Sequence, residues 1–257
     1  MSRFNNLEFG GEEEDHSVSP SYLKDEVHYL MEAQTAFAQG RFEQALRHYA
    51  KVLEFNSKNA AAWRGQVRML IELGEFAEAK LWADKALETV PDDPELLAAK
   101  AVALARGGDL SEAMMFSDAA IEARGETPYV WLARGDVLLA RREKRAEFCF
   151  EKALGLAGRD WLHHWLISRV YFFYKQFSYA FKLAQQALAL DAGRAAVWLQ
   201  FGRCQLALGF VGAAENSLHQ ARQLDAQCRL SEQETWELSQ RPLWARMRGW
   251  WRQMLRR

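Results

Sequence analysis

The sequence is poor in the residues that staple or interrupt a chain: 257 residues contain three cysteines and five prolines, and 26% charged residues leave a net charge of only −1. Cys149, Cys204 and Cys228 are odd in number and far apart, so they read as small packing residues rather than bridges or ligands. A near-neutral chain lacks the basic face that nucleic acid requires, and no nucleic-acid partner is expected. The turn Arg141, Arg142, Lys144 and Arg145 is basic, but Glu143 and Glu147 partly neutralise it. No apolar run approaches the ~18–20 residues of a membrane span. The start MSRFNNLEFGGEEED has neither the basic nor the apolar part of an export leader, so a cytoplasmic placement is expected. No glycine-rich loop follows a strand pattern, and nothing assembles a nucleophile, base and orienter. His163 and His164 are adjacent, pointing about 100° apart on a helix, so they cannot share a metal as residues four apart would. Catalytic residues, cofactors and metals are all expected to be absent.

What the chain does have is one pattern, repeated. A Gly precedes an aromatic or Leu by two places and an Ala by five: Gly40, Phe42 and Ala45; Gly74, Phe76 and Ala79; Gly108, Leu110 and Ala113. The recurrence spacing is 34 residues, the period of stacked helix–turn–helix units. Frames run at 26–59, 60–93, 94–127, 128–160, 161–194 and 195–228, with only the fourth one residue short. All five prolines (Pro20, Pro91, Pro94, Pro128 and Pro242) fall between expected helices. Asp93-Pro94 and Thr127-Pro128 read as helix caps followed by proline at the first helical position.

These residues give the chain its resemblance to the tetratricopeptide repeat family. Trp63, Trp131 and Trp198 stand at place 4 of their frames, and Ala33, Gly135 and Gly202 at place 8. Ala79, Ala113, Ala180 and Ala214 stand at place 20, and Ala86-Leu87, Ala153-Leu154 and Ala187-Leu188 at places 27–28. His164 departs at place 4, as do Arg142 and Lys175 at the place-15 glycine. The resemblance implies an all-α, right-handed superhelical solenoid of six repeats, non-catalytic, with a concave groove lined by the first helix of each repeat. Carried over by place, it nominates Arg64, Arg68, Arg106, Tyr129, Trp165, Arg169, Phe172, Phe173 and Arg203 as partner-binding residues. The family's clamp for acidic chaperone tails needs Lys and Asn where this chain has Leu30 and Gln34. Arginines along the groove suit carboxylates, so the expected partner is a protein or peptide of mixed apolar and acidic character. Nine aromatics lie between Trp161 and Phe181. They read either as a binding hot spot or as filler for space left by His164 and Ser168.

The ends differ from the middle. Residues 1–19 carry Phe4, Leu7 and Phe9 before an acidic run, and 1–15 have a net charge of −4. They read as a disordered tail that could also occupy the groove. Residues 229–240, with Ser231 and Glu234 in capping-box spacing, read as a capping helix. Residues 241–257 carry six Arg and no acid. Wound as a helix they gather Trp244, Trp250, Trp251 and Leu255 on one arc, with Arg246, Arg248 and Arg252 around the rest. That pattern suits an anionic membrane surface, a partner protein or the last repeat. The sequence thus points to an interaction scaffold, tethered at a membrane by its C-terminal helix, or alternatively to a soluble chaperone shielding an apolar client segment.

Overall fold

A first helix, a tight turn and a second helix recur six times along the residues that the computed structural model describes, 25–123 and 125–226. The pairs are α1 (Glu26–Ala38) with α2 (Phe42–Phe55), α3 (Ala60–Leu73) with α4 (Phe76–Thr89), and α5 (Pro94–Gly107) with α6 (Leu110–Glu122). They continue as α7 (Pro128–Ala140) with α8 (Ala146–Ala157), α9 (Trp161–Phe173) with α10 (Phe177–Leu190), and α11 (Ala195–Ala207) with α12 (Val211–Leu224). The expected acidic tail, capping helix and basic C-terminal helix lie outside the described residues.

Local chemistry sets the helix starts. Asp25, Asn59, Asp93, Asp109, Thr127 and Asp160 each accept a hydrogen bond from a backbone N–H of the first turn, satisfying donors that have no intrahelical acceptor. Pro94 and Pro128 open their helices, where a missing N–H costs nothing.

The turn inside each pair is left-handed at the same place. Gly40, Gly74, Gly108 and Gly209 have φ of 74°, 85°, 102° and 84°, whereas in the fourth and fifth pairs Arg142 and Lys175 hold φ of 59°. A side chain there costs about 1–2 kcal/mol. Arg142→Gly and Lys175→Gly should each raise the melting temperature by recovering part of that strain. Two unchanged melting curves would contradict it.

The two helices of a pair bury different amounts. α5 buries nine of its residues, including Leu96, Val102 and Leu104, whereas α4 buries only Ala79, Ala83 and Ala86, and α10 only Ala180, Ala184 and Ala187. From the second pair onward the first helix is the more enclosed of the two, and α4, α6 and α10 touch inward through small residues; in the first pair the order reverses, α2 burying Phe42, Leu46 and Tyr49 while α1 buries only Ala33 and Ala36. The close crossings depend on glycine beneath an aromatic ring. A Cβ added to Gly65 would lie 2.3 Å from the Tyr49 ring, and one added to Gly135 would lie 2.4 Å from Phe150. Gly→Ala inside a helix ordinarily stabilises by about 1 kcal/mol. Here overpacking costs about 1–3 kcal/mol and reverses the sign. Gly135→Ala should lower the thermal midpoint; a rise would show that the Phe150 ring moves aside freely.

The fifth pair accommodates its unusual residues by hydrogen bonding. Ser168, fully buried, donates to the Ala180 carbonyl at 2.7 Å and receives Gln200 Nε2 at 3.3 Å. His164 Nδ1 lies 2.9 Å from the Asp160 carbonyl oxygen.

The stack curves until its first pair meets its fifth and sixth. Phe42, at the start of α2, stacks on Trp165 of α9 with centroids 6.1 Å apart, and the Trp165 indole N–H donates to the Ala196 carbonyl of α11 at 3.1 Å. Arg41 Nη2 reaches both carboxylate oxygens of Asp225 at 2.8 and 2.9 Å. Arg169 Nε donates to Glu72 of α3 at 2.7 Å, and Phe173 meets Phe76 edge-on at 5.9 Å. These contacts join residues up to 184 positions apart, so the inner face is enclosed rather than open along its length.

Candidate partner-binding site

All nine nominated groove residues lie on first helices, and the structure brings them together on the inner face. It also supplies their partners from within the chain. Arg64 Nη2 pairs with Asp93 at 2.8 Å, Arg68 with Glu95 at 2.6 Å, and Arg106 with Asp136 at 2.6 Å. The Arg68 guanidinium also lies 3.3 Å from the centre of the Tyr129 ring, a favourable cation–π geometry.

The tightest of these groups is nearly dry. Asp136 is 1% exposed and Arg106 6% by side chain. Asp136 accepts Arg106 Nε at 3.1 Å, Arg106 Nη2 at 2.6 Å and the Tyr174 hydroxyl at 2.7 Å. Burial opposes the charge on Arg106, but Asp136 and Glu72 outweigh it and hold its pKa above the ordinary value. Tyr174 is pushed up by burial and by the Asp136 carboxylate. Tyr129 is pushed up to about 12, chiefly by burial. Arg169 differs, since burial pulls its pKa down against the attraction of Glu72. The cavity among Phe37, Tyr129, Leu132, Leu166 and their neighbours is only about 30 Å³, room for one or two waters. No peptide fits in the middle of the groove as it stands.

Trp165 is 1% exposed, so for this residue packing is what the structure has. Phe173 is 43% exposed, and Phe172 is half-buried against Phe177. Both edge a smaller cleft of about 210 Å³ that Arg169, Gln200 and Arg203 share.

A larger opening survives at the closure. A cleft of about 580 Å³ lies between the first pair and the fifth and sixth, lined among others by Arg41, Arg47, Arg169, Arg203, Phe42, Trp165 and Leu199, with Glu43 and Asp225 as its acids. Arg41 Nε is buried there without an acceptor. The cleft couples a cationic rim with an apolar floor, which suits a ligand presenting carboxylates beside an apolar side chain. Arg169 and Arg203 were nominated by place; Arg41, Arg47, Phe42 and Asp225 were not. Their juxtaposition arises from the summed curvature of six pairs, which no single frame encodes. The internal acids had a signal in the sequence, because Glu72, Glu95 and Asp136 stand at groove-facing places opposite the arginines of neighbouring repeats.

Among the described residues no group of His, Cys, Asp and Glu could hold a metal ion, and no helix there is long and apolar enough to cross a membrane. The basic turn of the fourth pair is internally paired, with Glu143 bound to both Arg141 and Arg145. The membrane or partner docking residues Trp244, Arg246, Arg248, Trp250, Trp251, Arg252 and Leu255 lie outside the described residues.

Comparison with known proteins agrees with the architecture. A tetratricopeptide repeat family model matches residues 36–103. A tetratricopeptide repeat protein from Parabacteroides merdae is similar in structure at 17% identity and a TM-score of 0.54, covering 86% of this chain and 87% of that one. A thermophilic protein of the same kind in Thermus thermophilus is similar at 20% identity and 0.54, over 70% of this chain and 99% of the other. A chain in the crystal structure of the APC/C hetero-tetramer Cut9–Hcn1 is similar at 16% identity and 0.50; the match covers 84% of this chain but only 43% of that longer one. No curated protein matches the sequence.

Proposed function

Because the chain is a tetratricopeptide repeat protein, we propose that it is a non-catalytic interaction scaffold that takes an acidic and apolar partner segment in the cleft between its first and last repeats. The observation that carries this reading is the cleft itself, about 580 Å³ with four arginines beside Leu73 and the edges of the buried Phe42 and Leu199. The partner's carboxylates pair with the rim and its apolar side chain covers the floor. The solved hetero-tetramer chain, itself part of an assembly, is in keeping with such a role. Peptides carrying an aromatic residue next to two or three acids should bind the full chain with a salt-dependent affinity, and basic counterparts should not. Arg47→Glu, at an exposed position, should weaken the acidic peptides at least tenfold by fluorescence anisotropy. Equal binding of acidic and basic peptides would refute the reading.

Membrane attachment is the second element of the proposal, supported by the six Arg and three Trp of residues 241–257. Each basic residue near an anionic leaflet contributes on the order of 1 kcal/mol. Full-length protein should float with anionic vesicles and lose this at high salt, and a 1–241 truncation should stay in solution. Stabilisation of a client protein without vesicle binding would favour the chaperone alternative instead.

A further inference from the structure

We infer that the cleft's resident ligand is the chain's own N-terminal segment, Phe4–Asp15, so that the scaffold is self-occupied until a competing partner arrives. The inference rests on the cleft reading above and names its occupant. The segment lies outside the described residues; its chemistry and its reach suit the cleft. The rim carries Arg41, Arg47, Arg169 and Arg203; Asp225 holds Arg41 and Glu72 holds Arg169, Glu43 is the other acid lining the cleft, and the buried Arg41 Nε has no acceptor. The segment offers Glu12, Glu13, Glu14 and Asp15 two glycines after Phe4, Leu7 and Phe9, and residues 1–15 together carry a net charge of −4. Acids and apolar groups therefore occur in the same short order that rim and floor present.

The chain is also long enough. The described residues begin at Asp25, the cap of α1, and the cleft is lined by Gln39 and Gly40 just past the other end of that helix. α1 spans 13 residues, roughly 20 Å at 1.5 Å per residue. The nine residues between Asp15 and Asp25 cover up to about 30 Å when extended. The acidic run can thus turn back along α1 and place the aromatics in the cleft of the same molecule. Because that cleft is walled by both ends of the stack, its occupant touches both and reinforces the closure. A partner must then displace a tethered competitor, whose effective concentration is high.

The test uses the full chain with the photo-crosslinker benzoylphenylalanine in place of Phe9. Crosslinks within one molecule to residues 39–47 or 196–203 are expected, with the yield falling at least tenfold in Arg47→Glu. Crosslinks that join two molecules, or that fall elsewhere on the protein, would overturn the assignment. A second arm separates this inference from the cleft reading. The full chain carrying Phe4→Ala, Leu7→Ala and Phe9→Ala is titrated with a labelled peptide of residues 1–16, which should bind at least tenfold better than it binds the unaltered chain. Equal binding to both chains would overturn self-occupancy yet leave the cleft as an acidic-ligand site. Failure of that peptide and of a scrambled version to bind either chain would overturn both.

Discussion

Asp136→Ala should destabilise the stack by about 3–5 kcal/mol, because it leaves the Arg106 guanidinium charged in a site with almost no water. Arg106 is only 6% exposed, and burial disfavours its charge; the Asp136 carboxylate is the first of the groups that offset this. The same substitution strands the Tyr174 hydroxyl, which donates to Asp136 from just beyond the end of α9. Three helix pairs are tied at this point, since Arg106 belongs to α5, Asp136 to α7 and Tyr174 follows α9. Removing both charges together is a different experiment. Arg106→Met with Asp136→Leu should recover most of the loss, as apolar replacement of a buried pair is often neutral or favourable. A single Asp136→Ala costing under about 1 kcal/mol would mean that water reaches the pair.

Trp165→Ala is expected to cost about 3–5 kcal/mol, in the range for deleting a large buried aromatic. It should also do something that an ordinary core truncation does not. The ring stacks on Phe42 and hydrogen-bonds to Ala196, so it joins the first, fifth and sixth pairs. Neighbouring pairs in a solenoid are stabilised mainly by their own interfaces, and these remain. The helical content by circular dichroism should therefore stay near that of the unaltered chain while the radius of gyration in solution rises. A lower melting temperature with an unchanged radius would show that the ends stay together without the indole.

The fold was legible because it repeats. An Ala or Gly at one place recurs 34 residues later, so each frame corroborates the others, and Asp93 and Thr127 cap the helices that Pro94 and Pro128 open, as their chemistry dictates. Arg142 and Lys175, departures at the place-15 glycine, keep the left-handed turn at the expense of strain. The groove residues were legible in position but not in engagement. Arg64, Arg68 and Arg106 face inward, where Asp93, Glu95 and Asp136 meet them, a pairing that shows only when the acids at groove-facing places are read together with the arginines. The closure through Arg41, Phe42, Trp165 and Asp225 was not legible at all, because it depends on small rotations accumulated over the whole stack.

The stack closes on itself and leaves its ligand cleft between its ends. A spin-label distance between Gln44 of α2 and Gln223 of α12, both exposed, tests it most directly. Buried Cys149 and Cys204 should not take up label, since burial raises both thiols, that of Cys204 to about 12; Cys228 is replaced by serine. A closed stack gives one narrow, short distance that Trp165→Ala broadens and lengthens. A long, broad distribution in the otherwise unaltered chain would contradict the closure and return the arginines to an open groove.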